Sequence, residues 1–139
     1  MERTAMCCCG GFRIRVKGEP NRVVTCHCLQ CQRRTGSVFG DNAIFPRTAI
    51  LAVEGDAREF SRIGERGGRL SFHFCPKCGS SLYWDIAAEP DIVGIAVGAF
   101  ADPGFTKPSR SVFGVTRHHW VPHIEGAEAF LADQFGPHE

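Results

Sequence analysis

The chain has 139 residues, 43% of them hydrophobic and 22% charged, the proportions of a soluble protein large enough to bury one core without staples. Sixteen Lys+Arg against fifteen Asp+Glu leave a net charge of +1, which argues against a bulk polyanion such as nucleic acid, a partner that selects a basic face. A small anion held by a few local arginines is not excluded, and the outlying feature is cysteine, with eight in the chain.

Met1–Met6 carries no apolar run of the kind that opens a secretory signal, and the longest apolar stretch, Ile92–Phe100, is about half of a membrane span. A cytoplasmic protein is expected, where thiols stay reduced and metal becomes the leading explanation for the cysteines.

In chain order, Phe12-Arg13-Ile14-Arg15-Val16-Lys17 alternates without error and predicts a half-buried strand. A strand is expected at Val23–Thr25, then a short helical turn after Cys31 stopped by Gly36. Further strands are expected at Asn42–Phe45, Ile50–Val53 and Arg58–Ser61. Leu70, Phe72 and Phe74 alternate with Ser71 and His73, giving a strand that runs into Cys75. Leu82–Asp85, Ile92–Val97 and Ser111–Val115 complete the strands. A short C-terminal helix is expected over Gly126–Phe135, where Ala127, Phe130, Leu131 and Gln134 fall at helical spacing before Gly136-Pro137. Short strands between dense Gly and Pro predict a mainly β protein, and no linker or repeat divides it, so residues 1–139 read as one domain.

The cysteines form three clusters: Cys7-Cys8-Cys9-Gly10, Cys26-His27-Cys28-Leu29-Gln30-Cys31, and Cys75-Pro76-Lys77-Cys78-Gly79. The last is a zinc-knuckle pattern, in which two intervening residues let a tight turn aim both sulfurs at one metal ion. A redox Cys-x-x-Cys would need a βαβ context, which the pattern of elements lacks. A closed tetrahedral site needs four ligands, and in extended chain residues i and i+2 face one side. Cys7 and Cys9 are thereby nominated to join Cys75 and Cys78 in a structural zinc site, leaving Cys8 as a small buried hydrophobe.

Cys26, Cys28 and Cys31 offer three thiolates, one short of closing a second site. Three protein ligands with an exchangeable position is the pattern of a catalytic zinc. Equally, Cys8, His27 or another histidine closes a second structural site. Three thiolates on Zn²⁺ leave a net charge of −1, which suits a thiol as fourth ligand better than water. Arg33 and Arg34 follow at once, a candidate pair for a substrate carboxylate, although adjacent arginines are also an ordinary solvated surface.

The order and spacing of the three clusters resemble those of the glutathione-dependent formaldehyde-activating enzyme family, to which the centromere protein V domain also belongs. Cys7-Cys8-Cys9-Gly10 stands where that family has its opening motif. Cys26-His27-Cys28-Leu29-Gln30-Cys31-Gln32-Arg33-Arg34-Thr35-Gly36-Ser37 is similar to its central motif, and Phe74-Cys75-Pro76-Lys77-Cys78-Gly79-Ser80 to its third. Gly98-Ala99-Phe100-Ala101-Asp102-Pro103 and Arg117-His118-His119-Trp120 match its later landmarks, so the resemblance covers Cys7 to Trp120. It implies a β-tent fold with zinc-binding knuckles, a structural zinc on Cys7, Cys9, Cys75 and Cys78, and a catalytic zinc on Cys26, Cys28 and Cys31. The chain departs where the family usually has a histidine nine residues ahead of the tryptophan, a position held here by Ser111. His118-His119 is an unfamiliar pair just before Trp120, read as exposed surface.

Two functions follow. One is a zinc-dependent carbon–sulfur lyase or synthase with two zinc ions per chain, acting on adducts of glutathione or another small thiol such as S-hydroxymethylglutathione. Arg33, Arg34 and Trp120 are then candidate substrate contacts, with Trp120 also readable as core. The other is a protein-interaction module in which both zincs are structural and nothing is catalysed. A zinc-handling role is a third, lesser reading.

Overall fold

A computed structural model describes all of residues 1–139. Its strands are β1 (Glu2–Met6), β2 (Arg13–Lys17), β3 (Arg22–Cys26), β4 (Gly40–Pro46), β5 (Ile50–Glu54), β6 (Arg58–Ile63), β7 (Arg69–Phe74), β8 (Ser81–Ile86), β9 (Ile92–Ala96), β10 (Arg110–Val112) and β11 (Glu128–Ala129), with one α-helix, α1 (Leu29–Thr35). The fold is mainly β, as the alternating sequence requires. No helix is long and apolar enough to cross a membrane. The chain divides into two units: Met1–Asn21 with Ala43–Phe105, and Arg22–Asn42 with Thr106–Glu139.

In the first unit, β2 lies between β1 and β5 in an antiparallel three-stranded sheet. Its period of two is seen directly, with Ile14 and Val16 fully buried and Arg13 and Lys17 outside. Arg13–Glu54 and Arg15–Glu2 pair on the exposed face, where each contributes under about 1 kcal/mol. The main support is apolar: Phe12, Phe45, Leu82 and Ile95 are fully buried, at roughly 1.5–3 kcal/mol each.

Four further strands of this unit form an antiparallel run, β6-β7-β8-β9. Phe72 pairs with Trp84 across β7 and β8, their rings 5.5 Å apart, and Trp84 in turn pairs with Gly94. A Cβ at Gly94 would sit 2.1 Å from the Trp84 Nε1, so only glycine lets the indole lie flat on β9. On this sheet Asp85 accepts from the Arg47 guanidinium (2.5 Å) and bonds the His73 ring (2.8 Å). Burial pushes the Asp85 carboxyl up, but these two hydrogen bonds outweigh it and hold it below the usual carboxylate range. Because the folded state holds this proton more weakly than the unfolded chain, Asp85 stabilises the fold above the ordinary carboxylate pKa. That stability is lost as pH falls through the depressed folded value. Asp85→Asn is expected to lower Tm at neutral pH and to flatten the acid limb of a Tm-against-pH curve, measured by thermal melts.

In the second unit β3 and β11 flank β10, both parallel to it. Val24, Val112 and Phe130 pack with Cys26, Cys28 and Cys31, and Phe113 closes over them. The C-terminal helix expected over Gly126–Phe135 is absent: the segment instead forms β11 and turns. Glu128 N–H donates to Ser109 O and Phe130 N–H to Ser111 O, so pairing to β10 claims the backbone that a helix would have used. Of the residues at helical spacing only Phe130 is buried, while Leu131 is exposed, so no apolar helix face exists to bury.

Candidate metal centres

In the first unit, the Sγ atoms of Cys7, Cys9, Cys75 and Cys78 all lie within 4.8 Å of one another. Cys7 to Cys9 is 3.5 Å and Cys9 to Cys75 is 3.7 Å. Four sulfurs about 2.3 Å from a tetrahedral metal stand about 3.8 Å apart, so the set fits one ion. The convergence of Cys7 and Cys9 comes from a turn closed by Gly10 N–H to Cys7 O (3.0 Å), not from extended chain. That turn throws Cys8 outward: it is exposed, where the alternation argument expects it buried, and its N–H donates to Ser80 Oγ (3.2 Å). The second pair sits in a knuckle closed by Gly79 N–H to Cys75 O (2.8 Å).

The protons of this cluster are unevenly shared. Hydrogen bonds from the hydroxyl and N–H of Ser80 pull the Cys78 thiol down to about 5. The Gly11 N–H favours the Cys9 thiolate, yet Cys7 and Cys75 outweigh it and Cys9 is pushed up to about 11. Four thiolates so close repel one another, and a bound cation removes that conflict.

The second unit holds Cys26, Cys28 and Cys31, also within 4.8 Å of one another, at 7%, 7% and 8% exposure. Cys26 ends β3, Cys28 is the N-cap of α1, and Cys31 lies in its first turn. The Cys28 sulfur accepts from Cys31 N–H (3.3 Å), so the cap that starts the helix also folds the loop on itself. Gly36 ends the helix at a φ of 72°, with its N–H donating to Gln32 O, the left-handed stop that glycine favours. The Cys26 thiol is pushed far up, first by hydrogen bonds with Cys28 and Cys31 and then by burial. Three soft donors converging while buried, two of which, Cys26 and Cys31, have thiols pushed up, fit a soft divalent ion.

His27, between the first two cysteines, is 2% exposed. Its N–H donates to Val112 O (3.0 Å), and its Nε2 bonds Ser111 Oγ (3.1 Å). Its carbonyl accepts from Gln32 Nε2 (2.9 Å) and Thr116 Oγ1 (2.8 Å). Phe39 lies edge-on to the ring, and Nδ1 has no partner. Burial, and then the nearby Arg117 charge, press its pKa below the ordinary imidazole value, which favours the neutral ring. Ser111 therefore has a defined partner. Phe113, at a φ of 59°, turns the chain so that Thr116 returns to the His27 carbonyl.

Arg33 is exposed and Arg34 half-buried, with the Arg34 guanidinium against Gly40, where a Cβ would sit 3.0 Å away. Trp120 is 63% exposed, which removes the core reading. The histidine pair divides: His119 is exposed, whereas His118 is half-buried and its Nε2 lies 3.0 Å from Gln32 Oε1. Gln32 and Thr116 had no signal of their own, because their contacts join segments 84 to 89 positions apart.

No curated protein matches the chain. Among solved structures, a crystal structure of a Rhodobacter sphaeroides protein is similar in fold, at 21% identity and a TM-score of 0.56, over 74% of this chain and 90% of that one. The profile of the glutathione-dependent formaldehyde-activating enzyme family matches residues 2–116, a span that contains every cysteine of both clusters, and to that family this chain belongs.

Proposed function

We propose that the chain, as one zinc-binding domain over residues 1–139, catalyses the addition of a small thiol, glutathione first among candidates, to an aldehyde such as formaldehyde, and the reverse cleavage. In the forward direction the sulfur–carbon bond of the adduct forms, the carbonyl π bond breaks, and the thiol proton ends on the new hydroxyl. Run backwards it is a carbon–sulfur lyase reaction. The family membership supports the reaction class. One observation carries the assignment to a site: the buried cluster has three sulfurs where the other has four.

Cys7, Cys9, Cys75 and Cys78 hold the structural zinc in this reading, and Cys26, Cys28 and Cys31 the catalytic one. A zinc ion held by three thiolates supplies Lewis acidity that lowers the pKa of a thiol in the remaining position while leaving its sulfur nucleophilic. The protein's own part is to bury the three sulfurs and to fix the loop that carries them, so that the reactants meet in one orientation. Arg33, exposed and two positions after Cys31, is the cation we assign to a substrate carboxylate, of which glutathione has two. Trp120 offers an apolar wall from the surface, and Arg34, engaged against Gly40, supports the loop. The balanced charge suits a small ligand in the cytoplasm and gives nucleic acid no role.

The test is cobalt substitution. Glutathione is expected to shift the visible absorption of the cobalt-loaded protein saturably, as its sulfur enters the three-cysteine site. No response to glutathione, cysteine or mercaptoethanol would replace this reading with that of an interaction module whose two metal ions are both structural.

A further inference from the structure

The loop that carries the three cysteines is held by a clamp of side chains. Gln32 directly follows Cys31 in α1, and its Nε2 donates to His27 O (2.9 Å) and to Thr116 O (3.2 Å). With both N–H groups spent on carbonyls, the orientation of the amide is fixed and Oε1 is left as an acceptor. His118 Nε2 meets that oxygen at 3.0 Å, so this ring nitrogen carries its proton in either charge state. The ring of Trp120 packs edge-on to His118, with centroids 6.2 Å apart.

The peptide so gripped lies between two of the three sulfur ligands. The His27 carbonyl belongs to the peptide unit it shares with Cys28 and the His27 N–H to the one it shares with Cys26, so hydrogen bonds to the two groups hold the backbone on both sides of this residue. Its carbonyl accepts from both Gln32 and Thr116, and Val112 holds its N–H. Val112 and Thr116 belong to the backbone path of β10 and the turn after it. Gln32 reaches in from the helix, and its long side chain has several rotamers unless its far end is tied. His118 is the tie.

We propose that Gln32 and His118 are positioning residues of the three-cysteine site: His118 locks the Gln32 amide, and Gln32 holds the His27 peptide where Cys26, Cys28 and Cys31 converge on one metal ion. This rests on the reading of that cluster as a metal site. Partners that orient metal ligands without touching the metal commonly govern affinity about 10–100-fold when removed. The pair joins a central-motif residue to one of the two histidines read from sequence as mere surface.

The experiment is a cobalt titration against a competing chelator, for the wild-type chain, Gln32→Leu, His118→Phe and the double variant. Phenylalanine keeps a ring beside Trp120 and removes both ring nitrogens, among them the Nε2–H that meets Gln32. Each single variant is expected to bind cobalt at the three-cysteine site at least about tenfold more weakly. The four-cysteine site should keep wild-type affinity, which reports that the chain is folded. The double variant should lose no more than the worse single one, since a clamp already open cannot be opened twice. Nitrogen-15 shifts of the wild-type His118 ring are expected to show the proton on Nε2. Wild-type affinity in both single variants, additive losses in the double variant, or equal weakening of both sites would overturn the proposal. Cobalt affinity is measured without thiol, so a wild-type site that binds cobalt and ignores glutathione would sink the proposed reaction while this test still judges the clamp.

Discussion

Cys28→Ser is expected to abolish the glutathione-induced shift of the cobalt spectrum and to cut catalysed adduct formation at least about a thousandfold, roughly 4 kcal/mol of barrier. Serine is the informative replacement because Cys28 has two jobs. Its sulfur is one of the three converging ligands, and it also caps α1 by accepting from Cys31 N–H. Serine is among the best helix caps, so the helix start survives while the soft ligand is lost. The Tm should then move little, and Cys28→Ala, which also loses the cap, should be less stable than Cys28→Ser by about 1 kcal/mol. Undiminished catalysis by a Cys28→Ser protein that still binds two metal ions would end the assignment of chemistry to this cluster.

The opposite pattern is expected at the other cluster. Cys75→Ala should lower Tm by at least about 10 °C, because a closed zinc site contributes directly to folding, with apparent binding free energies near 10–16 kcal/mol in zinc-finger peptides. If only about 3 kcal/mol of that is net stability here, the shift follows at roughly 3–4 °C per kcal/mol for a chain of this length. The site joins a turn near residue 9 to a knuckle near residue 77, each closed by its own glycine hydrogen bond; the Cys8 N–H to Ser80 Oγ bond links the two, and a bound ion would add four ligand bonds to that tie. Calorimetry on the metal-loaded variant checks it, with melts of the chelator-treated wild type alongside. A Cys75→Ala protein that melts with the wild type would show the four-cysteine site to be dispensable for folding.

The strands were legible where side chains alternate. β2 and β8 follow their apolar residues because one face of each is buried, and β7 follows them around one buried residue, Phe72. β1 was not legible: in Glu-Arg-Thr-Ala-Met only Ala5 is buried, and it is a strand because β2 offers it a partner. Segment 126–135 fails for the converse reason, since its helical spacing lost to pairing with β10. Both cysteine groups were legible from spacing, although Cys7 and Cys9 converge through a turn and not through the extended chain from which they were nominated. What surrounds the three-cysteine loop was not, for Ser111, Thr116 and His118 reach it from 84 or more positions away, and no local pattern records such a meeting. Cys8 shows the same limit on a smaller scale: the ligands on either side were found, but the turn that exposes it was not.

That long separation also orders events during synthesis. Cys26, Cys28 and Cys31 are made well before the residues that close around them, and chains are made N-terminus first, at roughly 5–20 residues per second. For several seconds, then, the growing chain carries three thiols on a loop whose clamp does not yet exist. Closing that long gap costs only modestly more entropy than a gap half as long, but it cannot begin until β10 is made. The enclosure of the three sulfurs therefore waits for Ser111 and the residues after it to be made, and a chain interrupted before Ser111 would carry the thiols without it.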